Sequence, residues 1–273
     1  MSLIYSPFIM NALIGIVLGG VTAMIAGALS MLRNVHYLSA EVAHSALGGA
    51  AIGALIYSQI GYEPIIFIAA TTFSIISSII TGYIVRERGG EAAGLAIGVA
   101  LAISLSTYSI VIGMLKAELI IKVNSYLLSD ILLITYSDLI GMTLISFIGL
   151  IVLIAFYKEM LYICFDVEGA EALGLKTKIY DYMAFALIGA AGAVLARAMG
   201  ALLIYALAIL PAASSIEISN STSKIFIYTF TISLTSGITG LLISLTLNLP
   251  TSGTIAATAT TIYILIKVAR KII

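Results

Sequence analysis

Tryptophan is absent, cysteine occurs once, histidine twice, and only 10% of the 273 residues are charged. Each scarcity excludes something. The lone Cys164 permits neither an internal disulfide nor a cysteine metal cluster. A formal net charge of zero leaves no electrostatic footprint for nucleic acid. No G-x-x-x-x-G-K-[ST] occurs, and Gly174-Leu175-Lys176-Thr177 is not one, so a P-loop for ATP is excluded. H-E-x-x-H and G-x-S-x-G are also missing, which argues against membrane proteases of those types. His44 and Ser45 are neighbours on different helical faces and do not form a nucleophile pair. Without tryptophan, an interfacial aromatic belt must rest on the 15 tyrosines.

What is present is apolar. Hydrophobic residues make up 61% of the chain, and mean hydropathy is +1.17, a balance foreign to soluble domains. With about 20 apolar residues needed per crossing, spans are expected near 8–31, 38–58, 64–85, 92–114, 136–156, 179–196, 199–216, 224–246 and 252–268. The fold class is therefore all-α, a polytopic bundle of about nine spans in one domain over 1–273. The first apolar run, about Phe8 to Leu32, is too long for a cleavable signal peptide and lacks a preceding basic region. Dense glycine, alanine and serine, as in GGVTAMIAGALS and GGAAIGA, favour close helix packing in lipid.

Basic residues set an expected orientation. With the N-terminus outside, ten Lys and Arg are cytoplasmic: Arg33, Arg86, Arg88, Lys158, Lys176, Lys178, Lys224, Lys267, Arg270 and Lys271. Only Lys116, Lys122 and Arg197 are external. The C-terminus is then cytoplasmic. The external stretch MLKAELIIKVNSYLLSDILLITYSD is expected to lie on or dip into the outer face.

Two polar features stand out. His44 lies about six residues inside the second span, with Glu41 three residues earlier on the same helical face. An imidazole and a carboxylate there suit a borderline divalent cation such as Zn²⁺ or Mn²⁺. The alternative is a Glu–His pair that only locks the bundle. The second feature is FDVEGAEALGL, Phe165 to Leu175, within a polar stretch over 158–178. It is either an ordinary loop or a short amphipathic segment for docking another protein.

FDVEGAEALGL resembles the cytoplasmic coupling segment of ABC-type metal-ion permeases, which import zinc, manganese or iron. SAEVAHSALGG resembles that family's G-D-A-x-S-H-A-x-x-P-G motif, with His44 at the histidine and Gly49 at the last glycine. Ala40 stands where the aspartate falls, Ala43 replaces the serine and Gly48 the proline; Glu41 offers a carboxylate about 100° away around the helix. RERGGEAAGLAIGVALAISL is similar to the family's basic loop and Gly-rich span. AMGALLIYALAILPAAS resembles V-G-x-L-L-x-x-A-L-x-x-L-P-A-A-T, with Gly200, Pro211, Ala212 and Ala213 in register. LNLPTSGTIA resembles D-x-P-S-G-x-x-I with Asn248 at the acidic position, and Ser129 replaces a glycine before Asp130.

The resemblance implies the membrane subunit of an ATP-driven metal importer in the plasma membrane. It implies two copies along a two-fold axis, a separate ABC ATPase subunit and an extracytoplasmic metal-binding protein. This chain would have no catalytic site and no bound cofactor, with the metal as its substrate. His44 and Glu41 are the implied metal residues. Phe165, Asp166, Glu168, Ala170, Glu171, Ala172, Gly174 and Leu175 are implied to meet the ATPase. Gly49, Arg197, Gly200 and Pro211 are implied along the pathway or gate. Arg197 either lines the outer mouth, pairs with a docking protein's carboxylate or snorkels to the interface. Pro211 kinks its span. A permease for a metal chelate, usually longer by a span, and a gradient-driven secondary transporter, usually carrying inverted repeats, are the alternatives.

Overall fold

The computed structural model describes residues 7–272. Helices follow one another without a strand among the described residues: α1 Pro7–Leu32, α2 Leu38–Ile60, α3 Pro64–Arg88, α4 Ala93–Ile112, α5 Ala117–Leu128, α6 Tyr136–Ala155, α7 Tyr157–Phe165, α8 Val167–Ala172 and α9 Thr177–Met199. The last third holds α10 Ala201–Ile204, a π turn Tyr205–Ile209, α11 Leu210–Ile218, α12 Thr222–Leu247 and α13 Thr251–Ile272. Nine stretches of the described residues are long and apolar enough to span a bilayer, with α10, the π turn and α11 forming the seventh. They fall where the apolar runs place them.

Six connections between the described spans turn in a few residues each. Gly61 ends α2 at φ 74° and Gly200 separates α9 from α10 at φ 81°, left-handed conformations that glycine adopts without a Cβ clash. The remaining polar connections carry α5 at one end of the bundle and α7 and α8 at the other. An odd number of spans puts α1's start and α13's finish at opposite ends. The end that carries α7 and α8 gathers Arg33, Arg86 and Arg270, and is the basic end.

Helices α1, α2 and α9 are the most buried, whereas α4 and α13 expose most of their surface. Small residues permit that central packing. Gly49 of α2 shows how close it is: a Cβ there would lie 2.6 Å from the Ala69 carbonyl oxygen and 2.8 Å from Ala70 Cα on α3. With Phe73 Cβ also 2.6 Å away, no side chain fits, and Gly49 sets the α2–α3 spacing.

The seventh span is irregular for a local reason. Pro211 has no N–H to give the carbonyl four residues before it, and the helix widens into the π turn just upstream. Pro211 and Gly200 are both buried.

Candidate functional site

Glu41 is only 3% exposed, in the first turn of α2, the most buried of the described spans. Its Oε1 accepts from Ser45 Oγ (2.5 Å) on α2, Ser77 Oγ (3.1 Å) on α3 and Ser104 Oγ (3.2 Å) on α4. Three helices thus meet on one carboxylate oxygen, while Oε2 is buried with no partner. A buried polar atom left unpaired costs free energy, so this oxygen is available to a proton or a cation. His44 is half-buried on the same helix, and its Nδ1 is likewise buried without a partner. No hydrogen bond joins His44 to Glu41. The carboxylate is held by serines instead. His36, by contrast, is exposed. Among the described residues no three His, Cys, Asp or Glu side chains cluster, so one copy of this chain presents isolated donors rather than a closed metal cage.

At the basic end, α8 is capped at both ends. Asp166 Oδ1 accepts from Gly169 N–H at 2.8 Å, an N-cap. After Leu173 the chain reverses at Gly174, φ 80°, and Leu175 N–H returns to the Ala170 carbonyl at 3.0 Å, a glycine-dependent helix stop. Ala170 is fully buried against the bundle, whereas Phe165, Leu173, Ala172, Asp166 and Glu168 face outward. The outward set pairs apolar area with acidic charge. Glu171 turns back: its Oε1 accepts from Thr177 Oγ1 at 2.6 Å and from Arg86 Nη2 at 2.5 Å. The Thr177 hydroxyl, then the Arg86 guanidinium, hold the Glu171 carboxyl below its ordinary value of 4.5. A depressed value means this tie is at full strength above the ordinary value and is lost only as pH falls through the lower one.

Beneath that tie lies Asp181, 1% exposed at the start of α9. Arg33 Nη2 reaches its Oδ1 at 2.6 Å and Arg86 Nη1 its Oδ2 at 3.7 Å. Arg33 also donates to the Ile163 carbonyl of α7 at 2.9 Å and stands over the Phe185 ring. Burial beside this cluster pushes the Cys164 thiol up to about 12, so it stays protonated and inert at neutral pH. Sequence reasoning missed Asp181. Its signal was a carboxylate within an apolar run, with arginines ending two others.

At the opposite end, Arg197 pairs with Asp138 (Nε to Oδ1, 3.1 Å), donates to Ser125 Oγ at 3.3 Å and lies over the Tyr126 ring at 5.0 Å. Asp138 Oδ2 also accepts the Thr135 N–H at 3.1 Å, closing the cap of α6. Lys122 of α5 pairs with Glu63 before α3 and holds its carboxyl below the ordinary range. These pairs rim a cavity of about 420 Å³ that continues along Phe67, Gly141 and Leu144. Arg197 is thus engaged within the chain.

Nine candidate spans among the described residues, with the short acidic α8 at one end, make a polytopic membrane protein. A family model described as "ABC 3 transport family" matches residues 5–270, and the chain belongs to that family. The manganese transport system membrane protein MntC of Listeria monocytogenes is 29% identical over 260 residues, covering 94% of this chain and 88% of the relative. The high-affinity zinc uptake system membrane protein ZnuB of Haemophilus influenzae is 29% identical over 233 residues, 85% of each chain. Among solved structures, PsaBC from Streptococcus pneumoniae in complex with Fab superposes with a TM-score of 0.80 at 25% identity, covering 97% of this chain and 92% of that one. The resemblance drawn from the motifs is borne out, and the chain is a multi-pass membrane protein.

Proposed function

We propose that this chain is the permease subunit of an ATP-driven importer of a divalent transition metal, zinc, manganese or iron, in the plasma membrane. The observation that carries this reading is the likeness, along nearly the whole chain, to permeases named for manganese and for zinc. Two copies line one pathway. A separate ABC ATPase docks on the basic end through Phe165–Leu175, where Phe165, Leu173 and Glu168 face outward. An extracytoplasmic metal-binding protein delivers at the opposite end. His44 offers an imidazole lone pair, and Glu41 a free oxygen, at separate stations along α2. A pathway must bind weakly enough to release, and one imidazole per subunit with no third ligand meets that need. Gly49, Gly200 and Pro211 shape the wall, and Arg197 lines the outer mouth. The chain performs no bond chemistry; ATP hydrolysis belongs to the ATPase.

The test is uptake by the complex in proteoliposomes, with Zn²⁺, Mn²⁺ and Fe²⁺ in competition. ATP-dependent accumulation of at least one is expected, and accumulation of none refutes the reading. Orientation is checked separately in a Cys164→Ser background. A cysteine at Lys176 should be labelled only from the cytoplasm, and one at Glu118 only from outside. The reverse pattern inverts the topology and removes the docking argument.

A further inference from the structure

The helix that meets the ATPase-facing segment is the helix that holds Glu41. Arg86, at the basic end of α3, binds Glu171 of α8 at 2.5 Å and Thr177 of α9 at 2.9 Å. Ser77, nine residues earlier on α3, donates to Glu41, and nine residues of helix span about 14 Å. No loop intervenes between the two contacts.

Helix α3 is also gripped on both flanks. Gly49 seats it against α2 backbone to backbone. On the other flank a Cβ at Gly189 of α9 would lie 2.7 Å from the Ser74 carbonyl oxygen, and Ser78 Oγ donates to the Phe185 carbonyl at 2.6 Å. Contacts this close resist sliding, because packed interiors do not deform continuously. So α2, α3 and α9 are packed as one close-fitting unit. Helix α8 is short, and Ala170 is its one fully buried residue. Its polar side-chain ties to that body are Arg86–Glu171 and Glu171–Thr177. Asp181 lies behind the guanidinium of Arg86, 3.7 Å from its Nη1, and is itself held by Arg33 at 2.6 Å.

We propose that Arg86 is a positioning residue, the joint through which movement of α8 is passed along α3 to the Glu41–Ser77 contact beside His44. The proposal rests on α8 being the docking surface for the ATPase, and it assigns Glu171 to the joint rather than to the partner's surface. A continuous network is a route for coupling only when the coupling is measured.

Uptake per ATP hydrolysed is the first readout, in proteoliposomes holding the permease–ATPase complex. Arg86→Gln should lower that ratio about fivefold while the ATPase is still captured. Glu171→Gln should lower it similarly, and the double variant should be no worse than either single. Arg86→Lys, which keeps the charge, should recover part of the loss. An unchanged ratio, losses that multiply, or loss of ATPase capture in Arg86→Gln overturns the proposal.

The second readout does not need transport. Spin labels replace Glu87 and Glu168 in a Cys164→Ser background, without the ATPase. One narrow α3–α8 distance is expected, broadening in Glu171→Gln. An unchanged distribution refutes the joint even if the wild-type complex imports nothing, an outcome that would count separately against the importer reading.

Discussion

His44→Ala is expected to lower metal uptake tenfold or more while the protein stays folded and still captures its ATPase. The imidazole Nδ1 is buried and makes no hydrogen bond, so its removal breaks no polar contact of that atom. A neutral imidazole is a common ligand for borderline divalent metals, and protons compete for the same lone pair. Losing a tenfold factor in rate corresponds to about 1.4 kcal/mol of barrier, a modest demand for one ligand in a pathway. His36→Ala makes the control, since that side chain is exposed, and should change little. Uptake is measured in proteoliposomes beside a thermal unfolding curve. Normal uptake in a stable His44→Ala protein takes the residue out of the pathway. A fall in melting temperature that tracks the loss would assign it to packing.

Asp181→Ala should be the most destabilising single change at the basic end. The carboxylate is 1% exposed and sits between two guanidiniums that are themselves 9% and 12% exposed. Arg86 keeps Glu171 as a partner, but Arg33 keeps only the Ile163 carbonyl and the Phe185 ring. Stranding a buried charge in this way costs about 3–5 kcal/mol. Thermal unfolding in detergent should show a drop on the order of 10 °C at about 2–4 °C per kcal/mol. The same physics predicts partial recovery in the double variant Arg33→Leu, Asp181→Leu, because replacing both members of a buried pair is far cheaper than removing one. A melting curve like the wild type's for Asp181→Ala would show that solvent already screens the cluster.

Much of this was legible in the chain alone. Apolar run length placed about nine spans, because a bilayer demands about 20 such residues per crossing. The spread of Lys and Arg gave the expected orientation. The acidic segment Phe165 to Leu175 stood out because charge is so rare around it, and His44 because it lies inside a span. Motif order carried the family. Each of these signals is local, needing only composition or spacing along one stretch.

Other features existed only once the helices were packed. Glu41 and His44 share a face by spacing, yet the carboxylate is taken by Ser77 and Ser104, 36 and 63 residues away. Glu171, within the expected docking segment, ties to Arg86 from 85 residues away, and Ala170 is turned inward. The π turn before Pro211 and the separate helix α7 were not visible in the apolar pattern. The reason is the same in each case. A helix apolar all round has no polar stripe to say which face turns inward. Its rotation is then set by small-residue contacts such as Gly49 on Ala69 and by hydroxyls meeting across helices. Those contacts pair residues distant in sequence, so the chain names the polar groups, and only the packed bundle decides which of them touch.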